Sequence, residues 1–234
     1  MFVPLYDDNP YDEPFYPVVT RLLVLANVLL FVLFQSELVF DAAYAAAVSF
    51  GITPAVISHK VPAPSELISP YLTFVTYMFL HGGWLHLIGN MLFLWVFGDN
   101  VEHAMGRLRF VVFYLSCGIA GGFAHFLSMP DSNVPLLGAS AAIAGIVAAY
   151  LILFPYAKVW VLFLMRIPLR LSAIWVLGSW IVFQIFNVIF MMEEETAWWA
   201  HIGGLIAGAL LVVVLRRPHV PLFAKDVRAV VDVH

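Results

Sequence analysis

Charge is scarce in this chain: Asp, Glu, Lys and Arg together make up 11% of its 234 residues. A water-soluble domain carries typically about 25% and could not cover its surface with so few, which excludes that class. Cysteine is almost absent, with Cys117 alone, so disulfide frameworks and thiolate metal clusters are excluded. No basic block occurs and the net charge is −4, so nucleic acid is not an expected partner. The first residues, with Asp7, Asp8, Asp12, Glu13 and several prolines, lack the basic-then-apolar order of a cleaved signal. Residues 1–17 therefore read as a short solvated tail.

What the chain has instead is apolar length. Hydrophobic residues make up 63%, and mean hydropathy is +0.95. A spanning helix needs about 20 mostly apolar residues, and six segments approach that: Val18–Phe34, Trp84–Phe97, Phe110–Leu127, Ser140–Pro155, Leu171–Met191 and Trp198–Leu215. The second is short and polar, and helix can continue beyond it as far as Glu102. The connection from Gln35 to Gly83 holds two apolar pieces, Ala42–Phe50 and Tyr71–Leu80. Both are too short to cross and suited to the interface. The expected fold is all-α, a polytopic six-helix membrane bundle over residues 18–216 with a long first loop. Residues 217–234 read as a second tail. With six spans, Arg21, Arg107, Arg109, Lys158, Arg166, Arg170, Arg216, Arg217, Lys225 and Arg228 share one side, and only Lys60 lies opposite. That bias predicts cytoplasmic termini.

Topology then places the polar residues. Spans two, four and six enter from the outer face. His86 and Asn90 come early in span two, Ser140 heads span four, and His201 lies near the start of span six. At 1.5 Å per residue these groups sit roughly 5–10 Å below the outer boundary. His86 and Asn90, spaced i, i+4, share a helix face. Small residues at Ala141 and Gly145, and at Gly204 and Gly208, let spans four and six approach closely. Such closeness brings Ser140 Oγ within reach of His201. A serine beside an imidazole base is a nucleophile for acyl transfer. No carboxylate falls within any of the six segments, so the expectation is a Ser140–His201 dyad without a third member. Donors for an oxyanion are the Ser140 backbone N–H at a helix start, Asn90 and His86. No cofactor or metal is expected.

These residues resemble the rhomboid family of intramembrane serine proteases. The resemblance rests on His86-x-x-x-Asn90, Glu102-x-x-x-Gly106, Gly138-x-Ser140 and Ala200-His201-x-Gly203-Gly204-x-x-x-Gly208, with His81 ahead of them. It covers roughly residues 70 to 215. It implies Ser140 as nucleophile, His201 as base, and His86, Asn90 and the Ser140 N–H as the oxyanion site. The implied partners are the bilayer and single-pass membrane proteins, cleaved within a transmembrane segment near the outer face; a bacterial plasma membrane fits the compact form. Two positions depart from the family pattern. Ala141 stands where glycine is usual, and Pro70-Tyr71 replaces a common Trp-Arg pair.

Plainer readings exist for each residue alone. A serine in a membrane helix usually bonds its own backbone, and an asparagine is often interhelical glue. His125 reads as a packing histidine and Cys117 as a small core residue. Gln184 and Asn187 read as cavity-lining or neighbour-pairing groups outside the catalytic set. Two other classes compete with the protease: a non-catalytic rhomboid-like binder of transmembrane segments, and a transporter or metal site around His86, His125 and His201.

Overall fold

The computed structural model describes residues 2–8, 15–64, 67–163, 166–190 and 197–224. Six long helices follow the apolar segments: α1 (Val18–Phe34), α5 (Trp84–Met105), α6 (Arg107–Ser128), α7 (Ser140–Leu153), α8 (Ala173–Phe190) and α9 (Trp198–Leu215). Helices α6, α8 and α9 are each long and apolar enough to span unaided. Helices α1 and α7 are shorter apolar helices of 17 and 14 residues. The result is a helical membrane bundle.

Helix α7 is its axis. Ten consecutive residues, Ala141–Tyr150, are buried, as an all-apolar helix surrounded by others must be. Its close neighbours α6 and α9 approach through glycines. A Cβ on Gly204 would lie 2.0 Å from the Ala141 carbonyl oxygen, and one on Gly208 would lie 2.3 Å from that of Gly145. Where lipid supplies no hydrophobic drive between helices, this backbone-to-backbone packing is the main source of association.

The long first connection forms short helices α2 (Ala43–Phe50), α3 (Pro54–Ile57) and α4 (Thr73–Thr76), the last flanked by 3₁₀ turns. The 70–79 stretch meets α5 at 80°, so it lies across the bundle. Tyr77 and Met78 are wedged inward. Tyr77 donates its hydroxyl to the Gly118 carbonyl at 2.6 Å, and a Cβ on Gly118 would collide with Met78 Sδ. Tyr77 also accepts the Gly138 N–H at 3.0 Å, which pins the turn just ahead of α7.

Both expected tails are more structured than solvated segments. Residues Phe2–Asp7 form β1, paired antiparallel with β2 (Lys158–Phe163), which pairs with β3 (Ile167–Ser172). This three-stranded sheet lies at the end of α7 opposite Ser140 and adds a small β element to the expected all-α bundle. Leu171 and Ser172, expected to open span five, end β3 instead. Asp7 reaches inward to accept hydrogen bonds from Asn100 Nδ2 and the Tyr150 hydroxyl. Desolvation by burial raises its carboxyl from 3.8 to about 6, against the lowering effect of the Tyr150 bond. At the other end of the chain, Arg217 donates its N–H to the Ala104 carbonyl, and Phe223 and Ala224 donate to Ile152 and Leu153. Residues 217–224 thus pack under the bundle; residues 225–234 lie outside the described residues.

Glu102 and Gly106 have structural tasks. Glu102 is fully buried and accepts the N–H groups of Val19 and Thr20 and the Thr20 hydroxyl, at 3.0, 2.7 and 2.8 Å. It thereby caps α1, whose first N–H groups have no intrahelical acceptor. Gly106 alone separates α5 from α6, at φ +82, a conformation that favours glycine.

Candidate active site

Gly138 turns the chain with φ +123, Ala139 precedes the helix, and Ser140 is its first residue. The first turn of a helix offers N–H groups without intrahelical partners and the positive end of the dipole. Because α7 has only 14 residues, it is about 21 Å long, short of the roughly 30 Å hydrocarbon core.

Helix α9 delivers His201. Its Nε2 lies 2.9 Å from Ser140 Oγ. Trp198 meets the ring edge-on at 6.0 Å between centroids, and Trp180 of α8 covers it at 6.1 Å. The close crossing at Gly204, one turn further along α9, sets this distance, since its neighbour is Ala141. The Ala141 methyl does not face the approach to Ser140. It is fully buried and directed at α6, where Gly121 leaves room: a Cβ there would lie 2.5 Å from it.

His86 and Asn90 come from α5, spaced one turn apart. Both side chains border the turn before the serine. A Cβ built on Gly138 would lie 2.7 Å from His86 Nε2 and 3.6 Å from Asn90 Nδ2. The Gly82 N–H approaches His86 Nδ1 at 3.4 Å, and His81 packs edge-on against the ring at 5.1 Å. An acceptor at Nδ1 leaves the proton of the neutral ring on Nε2, facing Gly138. Asn90 Nδ2 is buried without a hydrogen-bond partner among the described residues. Unpaired buried donors of this kind carry a cost.

All four residues face one cavity of about 520 Å³, which also includes Gln184, His125 and Trp180 in its lining. No carboxylate lines it among the described residues, nor do three or more His, Cys, Asp or Glu side chains cluster there as metal ligands. The structure thus brings together the four expected residues and adds a fifth. Gln184 Oε1 sits 2.8 Å from His201 Nδ1, and its side chain lines the cavity, one of the two placements expected for it. Its signal was the spacing Trp180, Gln184, Asn187, which puts three residues on one face of an apolar helix. Asn187 instead donates to its own helix, to the Phe183 carbonyl at 2.6 Å.

Comparison with known proteins converges on the same segment. The family model described as Rhomboid domain matches residues 69–218. The chain is 33% identical over 151 residues to "Rhomboid protease GluP" of Bacillus subtilis, covering 64% of this chain and 27% of that protein. It is 28% identical over 155 residues to "Rhomboid protein 1, mitochondrial" of Saccharomyces cerevisiae, covering 62% and 42%. It is 31% identical over 105 residues to the human "Presenilin-associated rhomboid-like protein, mitochondrial", covering 44% and 27%. The matched part spans less than half the length of each of these relatives.

Proposed function

The chain belongs to the rhomboid family, and from that premise we propose that it is an intramembrane serine protease working through Ser140 and His201. The observation that carries this reading is the 2.9 Å contact between Ser140 Oγ and His201 Nε2 inside the cavity. The imidazole removes the hydroxyl proton as Oγ attacks a peptide carbonyl, giving a tetrahedral intermediate. The same ring returns the proton to the leaving amine as the C–N bond breaks, and the acyl-enzyme remains. Negative charge on the carbonyl oxygen develops beside the His86 ring N–H, the Asn90 amide and the Ser140 backbone N–H. Each such donor is worth about 3 kcal/mol in the transition state. Water entering the cavity hydrolyses the ester through His201.

The substrates are single-pass membrane proteins. Peptide carbonyls in an intact helix are tied up in its own hydrogen bonds, so the cleaved segment unwinds locally. Poor helix formers such as glycine and proline ease that step. The sheet end of the bundle carries Arg107, Arg109, Lys158, Arg170, Arg216 and Arg217, a bias that supports reading it as the cytoplasmic end. Cleavage then occurs toward the outer face of the membrane that holds the protein, with a bacterial plasma membrane as the reading that the compact form favours.

The test is labelling with a serine-reactive fluorophosphonate, applied to the parent protein, Ser140→Ala and His201→Ala. The parent should label and both variants should not, while their melting temperatures stay close to the parent. A parent protein that stays unlabelled, or a Ser140→Ala variant that still labels, refutes the assignment; the former result fits a non-catalytic binder of transmembrane segments.

A further inference from the structure

A dyad leaves one problem open: a neutral imidazole has two tautomers, and only one of them is a base toward Ser140. Nε2 faces the serine at 2.9 Å, so it must carry the lone pair, and the proton must sit on Nδ1. The identity of the group at Nδ1 decides this. That group is the side-chain oxygen of Gln184, at 2.8 Å. We infer that Gln184 of α8 is a positioning residue for the protease reaction, accepting the Nδ1 proton of His201 and so holding Nε2 as the base for Ser140. This rests on the protease reading above.

Three observations support the role. Gln184 is 97% buried by its 3% exposure, yet sits on a helix whose neighbouring Val182, Phe183, Ile185 and Phe186 are all exposed. The helix therefore turns this side chain inward, on the face that also buries Asn187. Its partner is the reacting imidazole, with no second side-chain contact needed to explain its burial. The chemistry also suits the place. A carboxylate would orient the ring and stabilise the imidazolium, but an ionised group in a membrane interior is costly. An amide oxygen orients the ring with no net charge. The opposite amide orientation would put a donor against Nδ1 and move the ring proton to Nε2, aimed at Ser140, where the base is needed.

Among the described residues, the titratable groups that share the cavity with His201 are His86 on α5 and His125 on α6. Neither contacts Nδ1, so a change at Gln184 can be read separately from them. Two substitutions separate orientation from mere packing. Gln184→Leu fills similar space but accepts nothing, and Gln184→Glu keeps an acceptor of the same reach while adding charge. A hydrogen bond to a group that becomes charged during reaction contributes enough to change rate about 10- to 100-fold.

The experiment follows the second-order rate of fluorophosphonate labelling against pH for the full chain, with thermal melting of each protein. Gln184→Leu should label about 10- to 100-fold more slowly near neutral pH and melt close to the parent. Gln184→Glu should label well at high pH, with the acid limb of its profile displaced to higher pH, because a carboxylate there favours the imidazolium. In Gln184→Leu that limb should move the other way. A packing role would slow Gln184→Leu without moving its limb. Parental labelling by Gln184→Leu, or an unmoved limb in Gln184→Glu, overturns the inference. If Gln184→Leu fails to fold, Gln184→Met, which also accepts no hydrogen bond from the ring, takes its place with the same two readouts. Failure of the parent itself to label would instead overturn the protease reading, and this inference with it.

Discussion

The crossing of α7 and α9 makes a quantitative demand on Gly204. Adding one methyl there, Gly204→Ala, places a carbon 2.0 Å from the Ala141 carbonyl oxygen. Contact between carbon and oxygen atoms needs roughly 3.3 Å, so the helices must part by about 1 Å or more. The obstacle is backbone, which cannot rotate aside. Ser140 adjoins Ala141, and His201 lies one turn from Gly204, so the separation is transmitted almost undiminished to the dyad. The 2.9 Å contact lengthens to about 4 Å, beyond hydrogen-bonding range. A misplacement of 1 Å can cost about 100-fold in rate, and overpacking costs roughly 1–3 kcal/mol in stability. The assay is the fluorophosphonate labelling rate beside thermal melting in detergent. Gly178→Ala is the control, because a Cβ there meets nothing within 4 Å; it should match the parent in both measurements. If Gly204→Ala labels and melts like the parent, the close crossing does not set the dyad, and the argument from helix approach fails.

Three further outcomes follow from other parts of the molecule. Asn90→Ala removes the unpaired donor beside Gly138 and should lower kcat on a cleavable transmembrane substrate about 100- to 1,000-fold with KM little changed; a KM effect alone would count against an oxyanion role. Glu102→Ala strips three donors at the start of α1 of their acceptor. It should lower stability by about 1–3 kcal/mol or more, seen as an earlier melt, while leaving the per-molecule labelling rate of the folded protein near the parent's. The third concerns Asp7, whose carboxyl is raised by burial from 3.8 to about 6. Between those values the folded state binds the proton more tightly than the unfolded one, so stability falls as pH rises from about 4 to 6 and then levels. Asp7→Asn should lack this decline; a parent-minus-variant melting difference that does not vary between pH 4 and 6 would contradict the burial of the carboxyl.

Much of this structure is readable in the amino-acid order, and the parts that are not share a physical reason. Helices betray themselves through apolar length, so all six long helices lie where such runs occur; their ends differ by at most three residues except in α5, which runs eight residues past Phe97 to Met105. The four site residues are legible because depth in a bilayer is a one-dimensional coordinate that counting along a helix supplies. The sheet is different. Pro4 and Pro168 interrupt the strand pattern, and both fall on the outer strands β1 and β3, where a missing N–H donor is tolerated. A register shift between Pro4 and Tyr6 marks the same disturbance. Strand β3 also runs straight into α8, so its apolar residues merge with the span that follows. Gln184 was hidden for another reason. A lone amide in an apolar helix has many explanations, and choosing among them needs the rotation of α8 relative to α9, which periodicity within one helix does not contain.

Where β3 ends, α8 begins: Ser172 is followed directly by Ala173, whose N–H is held by the Ala157 carbonyl, with Ile174 held by Pro155. That end is anchored to the sheet, which makes it the natural pivot for the helix. Gln184 stands 11 residues out along this lever arm, about 17 Å from the pivot. A tilt of roughly 10° would carry it some 3 Å sideways, enough to part it from the imidazole. Leaning the helix outward and disengaging the ring are, by this geometry, the same motion.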